Sequence, residues 1–242
     1  MVIYQPLGGY CYNSDTHFLF DFIVENLKKF KHVHGELLDI GSGSGILGIL
    51  MAKYYEKMNL HQCEVQKVFQ FLSTTNARTN HIPAHLYAHS LLDKNIDKTF
   101  DIIVSNPPFY HQNVIQSNNK NIKIARYNNA LTLNDFIVQS AKLLNAHGKL
   151  FFCYDVKQFN DIIKILNENN LNIEAVRFVH PKSNKDATLV MVYARKNSKS
   201  LLHINPPLIM FENESYTQEV NDIYNLTSTH SIKCDILEQF DE

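Results

Sequence analysis

The feature that most constrains the fold is a short apolar run that leads directly into a glycine-rich loop. Leu37–Ile40 has the pattern of a buried strand, and Gly41, Gly43 and Gly45 follow at every second position. Residues 45–55 are apolar nearly all round, which is typical of a buried helix. Glycines let such a loop turn sharply and approach a ligand without a Cβ clash, and the helix that follows adds partial positive charge. The segment therefore predicts a strand, a ligand-binding loop and a helix in an α/β domain.

Two details separate this loop from the one found in dinucleotide-binding enzymes. The spacing differs from G-x-G-x-x-G, because the glycines recur at every second residue. Asp39 precedes the first glycine, where its carboxylate can accept hydrogen bonds from an ammonium-bearing ligand or from loop amides. The candidate cofactor contacts in this segment are Asp39, Gly41, Ser42, Gly43 and Gly45.

Strands and helices alternate along most of the chain. Apolar spacing predicts helices at 15–30, 68–77, 134–144 (closed by Gly148) and 162–168, and strands at 36–40, 100–104, 150–153, 175–179 and 187–193. This order predicts an α/β fold with a doubly wound, mostly parallel sheet whose last two strands form an antiparallel edge hairpin. Ligands of such sheets bind at the carboxyl ends of the strands.

Glu64 follows the glycine loop by about twenty residues and is a candidate for binding a ribose. An acid after the second strand can accept hydrogen bonds from both ribose hydroxyls. Residues 60–63, Leu-His-Gln-Cys, are too polar for a convincing buried strand. An ordinary surface acid is therefore the alternative interpretation of Glu64.

The tetrad Asn106-Pro107-Pro108-Phe109 ends the strand at 100–104 and predicts the chemistry. An exocyclic amine conjugated to a ring or carbonyl is a poor nucleophile, because its lone pair is delocalised. The Asn106 side-chain carbonyl and the Pro107 backbone carbonyl can accept both N–H bonds and aim the lone pair. Phe109 offers a face on which a planar substrate can stack. Alignment of the amine then provides most of the rate acceleration, and no strong base is required.

A second Asn-Pro-Pro sequence acts as an internal control. Asn205-Pro206-Pro207-Leu208 lacks the aromatic residue and is far in sequence from the glycine loop. We interpret this copy as structural. The comparison makes the strand before Asn106 and the aromatic residue after Pro108 the informative parts of the motif.

Charge is distributed unevenly along the chain. Residues 118–199 carry 13 Lys and Arg against 6 Asp and Glu, whereas residues 200–242 carry one Lys against 8 acids. The basic region could attract a polyanion, and an ordinary solvated surface with a solubilising tail is the alternative. No apolar stretch is long enough for a membrane helix. The four cysteines and twelve histidines show no metal-binding spacing, so no metal and a cytoplasmic location are expected.

With the glycine loop and the tetrad in place, the sequence resembles class I S-adenosylmethionine-dependent methyltransferases of the amino-methylating branch. More narrowly, it resembles the bacterial tRNA(Val) adenine-37 N6-methyltransferase family. The resemblance covers most of the chain and is carried by residues 5–6, 9–15, 38–47, 64–66, 101–110, 125–126, 179–187, 207–208 and 216–217.

The resemblance implies a seven-stranded, Rossmann-like methyltransferase fold that binds S-adenosylmethionine and releases S-adenosylhomocysteine. It implies that residues 1–35 cover the cofactor, that 36–198 form the catalytic domain and that 199–242 are an acidic extension packed on the domain or trailing it. The implied additional cofactor contacts are Asp15, Thr16, Val65, Ser90 and Leu91, and the implied substrate contacts are Tyr110, Lys120, Lys123 and Arg126.

Two positions depart from the family pattern. Ser90 stands where the family often has an acid that contacts the cofactor adenine, and Tyr127-Asn128 stands where His-Glu is usual. These departures concern cofactor affinity and the exact substrate more than the type of reaction.

Three functions follow from these observations. The leading hypothesis is N6-methylation of adenine in RNA, in the anticodon loop of a tRNA, by a chain for which a monomer is plausible. The second is N5-methylation of a protein glutamine, as in release-factor methyltransferases, although only about 38 residues precede Asp39 here. The third is a catalytically silent module that binds RNA or another partner. DNA adenine methylation is disfavoured because no target-recognition insert is evident.

Overall fold

In a computed structural model of the chain, residues 1–8, 10–93, 96–107, 131–237 and 240 are described. The strands are β1 Val2–Pro6, β2 Gly35–Ile40, β3 Met58–Cys63, β4 Ala84–Tyr87, β5 Phe100–Ser105, β6 Leu144–Asp155, β7 Leu171–His180, β8 Leu189–Lys196, β9 His203–Ile204, β10 Leu208–Ile209, β11 Phe211–Glu212, β12 Ser215–Tyr216 and β13 His230–Cys234. The α-helices are α1 Ser14–Leu27, α2 Ile46–Tyr54, α3 Lys67–Thr79, α4 Leu133–Leu143, α5 Phe159–Glu168 and α6 Gln218–Thr227.

The central sheet has the strand order β10-β7-β8-β6-β5-β2-β3-β4, and β9 also pairs with β7. The pairs that join β4, β3, β2, β5 and β6 are all parallel, whereas β8 is antiparallel to both β6 and β7. The two-residue strands β9 and β10 add to the outer side of the hairpin formed by β7 and β8. The predicted α/β fold, mostly parallel with an antiparallel hairpin, is confirmed.

Helices cover both faces of the sheet, so successive residues of the central strands enter different cores. On β6, Phe151 and Cys153 join the core beneath α1, α2 and α6. Leu150 and Phe152 join the core beneath α4 and α5. This alternation follows from the two-residue repeat of a strand, and burial on both faces explains why the strand sequences are almost continuously apolar.

Two predictions about individual elements are wrong. The polar segment at 60–63 is part of the buried strand β3, because Gln62 donates through Nε2 to the carbonyl of Gly45 at 3.4 Å and His61 contacts Glu36 at 2.7 Å. The helix expected to be closed by Gly148 ends at Leu143 instead. Residues 144–148 already belong to β6. Between two successive paired positions β6 advances by five residues where β5 advances by two, and the extra residues form a bulge.

The first and last strands form a small parallel sheet of their own. Residues 2–6 of β1 pair with residues 230–234 of β13. Asn76 of α3 fixes β1 from the other side, since it donates to the Tyr4 carbonyl at 3.0 Å and accepts from the Tyr4 amide at 2.8 Å. Helix α6 packs against α1. In the described part of the chain, no helix is both long and apolar enough to cross a membrane.

Candidate active site

A cleft opens at the carboxyl ends of β2, β3 and β5. The Ser105 hydroxyl at the end of β5 donates to the Ile40 carbonyl at the end of β2, at 2.8 Å, and holds these two strand ends together. The cleft has two lobes that share Tyr10, Gly41, Gly43, Phe69 and Asn106. The first lobe also contains Glu64, Val65, Ser90 and Leu91. The second also contains Thr16, Asp39, Ser42 and Tyr12.

The glycine loop between β2 and α2 takes a backbone conformation that favours glycine. Gly41, Gly43 and Gly45 have φ values of 63°, 54° and 84°. A Cβ atom on Gly41 or Gly43 would meet nothing within 4 Å, so these two glycines present open backbone to the cleft. A Cβ atom on Gly45 would lie 2.5 Å from Nε2 of Gln62, so this glycine also allows the loop to pack against β3.

Asp39 is buried beneath this loop, and its carboxylate binds the next helix. Its Oδ2 accepts a hydrogen bond of 2.9 Å from the backbone N–H of Gly48 in α2. Burial raises the pKa of the Asp39 carboxyl to about 7, against the opposing effect of the Gly48 hydrogen bond. A cation bound in the second lobe would favour the ionised form.

Glu64 is 5% exposed and is therefore not an ordinary surface acid. Its Oε2 accepts from the backbone N–H of Gly43 at 2.9 Å, and its Oε1 accepts from those of Val65 at 2.8 Å and Gln66 at 2.9 Å. Burial raises the pKa of Glu64, and these three hydrogen bonds oppose that shift. The carboxylate thus joins the end of β3 to the glycine loop and lines the first lobe.

The inner end of the first lobe is formed by residues after β4. Ser90 accepts a hydrogen bond from the Leu92 amide through Oγ at 3.1 Å, and its own amide donates to Asp93 at 3.0 Å. Leu91 is buried and contributes an apolar wall. This lobe combines an apolar surface with a few polar atoms, which suits a nucleoside.

Asn106 lies where the two lobes meet, directly after β5. Its Nδ2 donates to Oγ1 of Thr16 at 3.1 Å, and its Oδ1 accepts from the thiol of Cys153 at 3.1 Å. Pro107 follows it and is buried. Pro108, Phe109, Tyr110, Lys120, Lys123 and Arg126 lie outside the described residues.

Asp15, another predicted cofactor contact, lies at the start of α1 beside Asn13. Its Oδ2 accepts from Nδ2 of Asn13 at 2.7 Å, and burial raises its pKa. Asp15 is not among the residues that line the two lobes. Its neighbour Thr16 does line the second lobe.

Several residues of the cleft were not identified from the sequence as site residues. Tyr10 and Tyr12 lie within a segment that carried the family resemblance, whereas Phe69 gave no signal other than its place on an apolar helix face. Cys153 appeared only as one residue of a buried strand. Its contact with Asn106 depends on the register of β5 and β6, which pairs Ser105 with Phe152.

The described residues fit S-adenosylmethionine in three ways. The cleft is open at Gly41 and Gly43, and it places Glu64 in the lobe that suits a nucleoside. Two buried polar atoms in the cleft, Ser42 Oγ and Gln66 Oε1, have no hydrogen-bond partner among the described residues. Such atoms are normally satisfied, so a ligand is a natural partner for them. No group of three or more His, Cys, Asp or Glu able to hold a metal ion occurs in the ranges described.

Comparisons with known proteins agree with this geometry. The sequence profile described as methyltransferase small domain matches residues 16–179. The chain is 25% identical over 157 residues to a tRNA1(Val) (adenine(37)-N6)-methyltransferase of Pedobacter heparinus, covering 64% of this chain and 67% of that protein. It is 29% identical over 173 residues to a release factor glutamine methyltransferase of Fusobacterium nucleatum, covering 67% of this chain and 48% of that protein.

The fold also has solved counterparts. The crystal structure of a predicted O-methyltransferase from Agrobacterium tumefaciens superposes with a TM-score of 0.67 at 18% identity, covering 90% of this chain and 99% of that one. At this identity the likeness concerns the fold alone.

Proposed function

The chain belongs to the methyltransferase small domain family, and from that premise we propose that it methylates the exocyclic N6 of an adenine in RNA, namely the anticodon-loop adenine of tRNA(Val). S-adenosylmethionine is the cofactor. The observation that carries the proposal is the position of Asn106, whose side chain lies where the two lobes of the cleft meet. This position supports a role for Asn106 in contacting both a bound cofactor and an incoming amine.

In this proposal the two lobes hold different parts of the cofactor. Glu64, Val65, Ser90 and Leu91 hold the nucleoside, and the glycine loop holds the amino-acid end. When bound, the cofactor supplies an electrophilic methyl group on a positively charged sulfur. Burial raises the pKa of Asp39 beneath the glycine loop to about 7, and a cationic amino-acid end bound there would favour its ionised form.

The chain's own contribution to the reaction is alignment. The carbonyl oxygens of Asn106 and Pro107 accept the two N–H bonds of the acceptor amine and turn its lone pair toward the methyl group. These two oxygens would hold the nitrogen in line with the methyl group that the bound cofactor would supply, and the proton released from the nitrogen would pass to water. Because the nitrogen becomes acidic as it gains the methyl group, no strongly basic side chain is needed.

RNA is favoured as the acceptor by two observations. Relatives such as the Pedobacter heparinus protein carry the name of a tRNA adenine methyltransferase. The segment around Lys120, Lys123 and Arg126 is basic and follows the tetrad closely in sequence, so it can contact phosphates near the acceptor base. Turning an anticodon-loop base out of its stack costs only a few kcal/mol. Cytoplasmic residence belongs to the same proposal and is supported by the four cysteines, none of which forms a disulfide in the described part of the chain.

The test is methyl transfer from radiolabelled S-adenosylmethionine into total tRNA. The wild-type protein should label tRNA, and nucleoside analysis should find the label in N6-methyladenosine. Asn106→Ala should lose at least about a hundredfold in rate because the amine is no longer aligned, while binding of S-adenosylmethionine persists. Label that appears only in protein would reject the RNA proposal.

Glutamine methylation is the second candidate, because the Fusobacterium nucleatum relative has that name. The chain spans about half of that protein's length. A release factor incubated with the protein and labelled cofactor separates the two acceptors, since this candidate requires label in a glutamine of the factor. Calorimetric titration with S-adenosylmethionine addresses the silent-module alternative, which predicts no binding.

A further inference from the structure

We infer that Cys153 and Thr16 are positioning residues that fix the side-chain amide of Asn106 in the one orientation that presents its carbonyl oxygen to an acceptor amine. The inference rests on the proposed function, since it concerns the same reaction. It adds two residues, from α1 and β6, to the group that acts around Asn106.

The two contacts involve the two different polar atoms of the Asn106 amide. Thr16 Oγ1 is the acceptor for Nδ2 at 3.1 Å, and the Cys153 thiol is the donor to Oδ1 at 3.1 Å. Both residues are buried, with exposures of 3% for Thr16 and 0% for Cys153. A side chain held at both of its polar atoms has little freedom to rotate about its last torsion.

The chemistry of the thiol determines which way the amide faces. Burial raises the pKa of Cys153 well above its ordinary value, so the sulfur carries its proton at neutral pH. A protonated thiol has a proton to donate, and the Oδ1 atom that it contacts is an acceptor, so the observed pairing suits both atoms. An Asn106 amide rotated by a half turn would lose this pairing.

The hydrogen bond from Cys153 leaves Asn106 Oδ1 able to accept a second hydrogen bond from the substrate. A carbonyl oxygen has two lone pairs, and the thiol uses one of those on Oδ1. The other remains for an N–H of the acceptor amine. Asn106 lines both lobes of the cleft, so its side-chain amide borders the space in which the amine and the methyl group would meet.

The position of Cys153 follows from the sheet. Ser105 pairs with Phe152, so the residue after each, Asn106 and Cys153, lie side by side at the carboxyl end. Cys153 belongs to the face beneath α1, as Phe151 does, and α1 brings Thr16 to the same place in its first turn. The three residues therefore meet because β5, β6 and α1 pack together, without a local sequence motif.

The first experiment compares Cys153→Ala, Cys153→Ser and Thr16→Val in steady-state methylation of tRNA. Cys153→Ala should lower kcat about tenfold, with the affinity for S-adenosylmethionine and the KM for tRNA nearly unchanged, because only alignment is lost. Cys153→Ser restores a donor and should recover most of kcat. Thr16→Val should also lower kcat, and because Thr16 lines the second lobe it should weaken binding of S-adenosylmethionine as well. Ser140→Ala, at a buried residue of α4, is the matched control and should keep wild-type kcat.

A second measurement does not depend on which acceptor is used. The S–H stretching band of Cys153, assigned by its loss in Cys153→Ser, should lie at the low frequency of a hydrogen-bonded thiol and move upward in Asn106→Ala. If tRNA is not methylated but the band moves, the RNA proposal fails and the positioning contact stands. The inference is overturned by a band that ignores Asn106→Ala, by wild-type kcat in Cys153→Ala, or by a loss that Cys153→Ser does not recover.

Discussion

Asp39 is a buried carboxyl whose protonation should make the stability of this protein depend on pH. Burial raises its pKa to about 7 in the folded state, against about 3.9 in an unfolded chain. The folded state therefore holds more protons than the unfolded state between these values, and the free energy of unfolding should fall as pH rises from 4 to 7. Asp39→Asn keeps an acceptor for the Gly48 amide and should make this fall smaller by about 1–3 kcal/mol. Chemical denaturation at several pH values measures it.

Asp186 provides the matched control for that experiment. It is an exposed carboxyl, and Asp186→Asn should leave the pH dependence as it is in the wild type. Asp21 contributes in the same direction as Asp39, since burial raises its pKa to about 6 despite the nearby Arg177 guanidinium, and so some pH dependence should persist in Asp39→Asn. Identical slopes for wild type and Asp39→Asn would contradict the assignment.

At the residue scale, the sequence predicted those candidate site residues that lie within local motifs. Asn106 and the glycines could be found because strand, turn and ligand loop are consecutive in the chain. Glu64 was left between two interpretations, since its burial depends on β3 and on the loop that contacts it. Cys153 could not be found in this way, because its partner is 47 residues distant and the bulge between β5 and β6 sets their register.

The glycine loop is the element on which the cleft depends most directly, and its glycines should differ in tolerance. Gly41→Ala introduces a Cβ into open space and should cost about 1–2 kcal/mol of unfolding free energy through its positive φ. Gly45→Ala carries the same strain and also places the Cβ 2.5 Å from Gln62 and 3.2 Å from the Ser73 backbone. It should cost about 1–3 kcal/mol more. Thermal or chemical denaturation of the two variants provides the comparison.

The same two glycine variants should rank in the opposite order for their effect on cofactor affinity. Gly41→Ala should weaken binding of S-adenosylmethionine in proportion to the crowding of the open cleft, whereas Gly45→Ala should act mainly through stability. Equal destabilisation of the two variants would show that the loop yields at Gln62 and does not pack tightly against β3.

At the element scale, periodicity located most helices and strands but not all of their ends. The polar residues of β3 obscured a strand that is buried because Gln62 and His61 find partners within the sheet. Gly148 suggested the end of a helix, yet α4 ends at Leu143 and the glycine lies in the bulge of β6. In both cases a tertiary contact outweighed the local pattern.

At the scale of the whole molecule, the first and last strands, β1 and β13, pair with each other. This pairing should couple residues 229–234 to cofactor binding. Tyr12 lines the second lobe, and its hydroxyl lies 2.6 Å from the Ser231 hydroxyl and 3.3 Å from that of Thr229. Deletion of residues 229–242 removes these contacts and the partner of β1. The affinity for S-adenosylmethionine should fall on the order of tenfold, which calorimetry can measure.

A shorter deletion, of residues 241–242, is the control for that experiment, because it also keeps Phe240, which packs against the cluster around Phe69. It keeps β13 and its register with β1, so it should affect cofactor affinity much less than the longer deletion. Equal affinities for the two truncated proteins would contradict the proposed coupling. The pairing of β1 with β13 was not predicted, because the two strands are separated by almost the full length of the chain and each is only five residues long.

The same pairing sets an order of events during synthesis on the ribosome. Residues 2–6 emerge long before their strand partner at 230–234, which emerges only after the entire central sheet has been made. Until then Tyr12 lacks the hydroxyl groups that hold it, so the wall of the cleft near Thr16 is incomplete in the nascent chain. The full cofactor cleft is therefore a property acquired after translation has passed β13, and a ribosome-bound chain would bind the cofactor more weakly than the released protein.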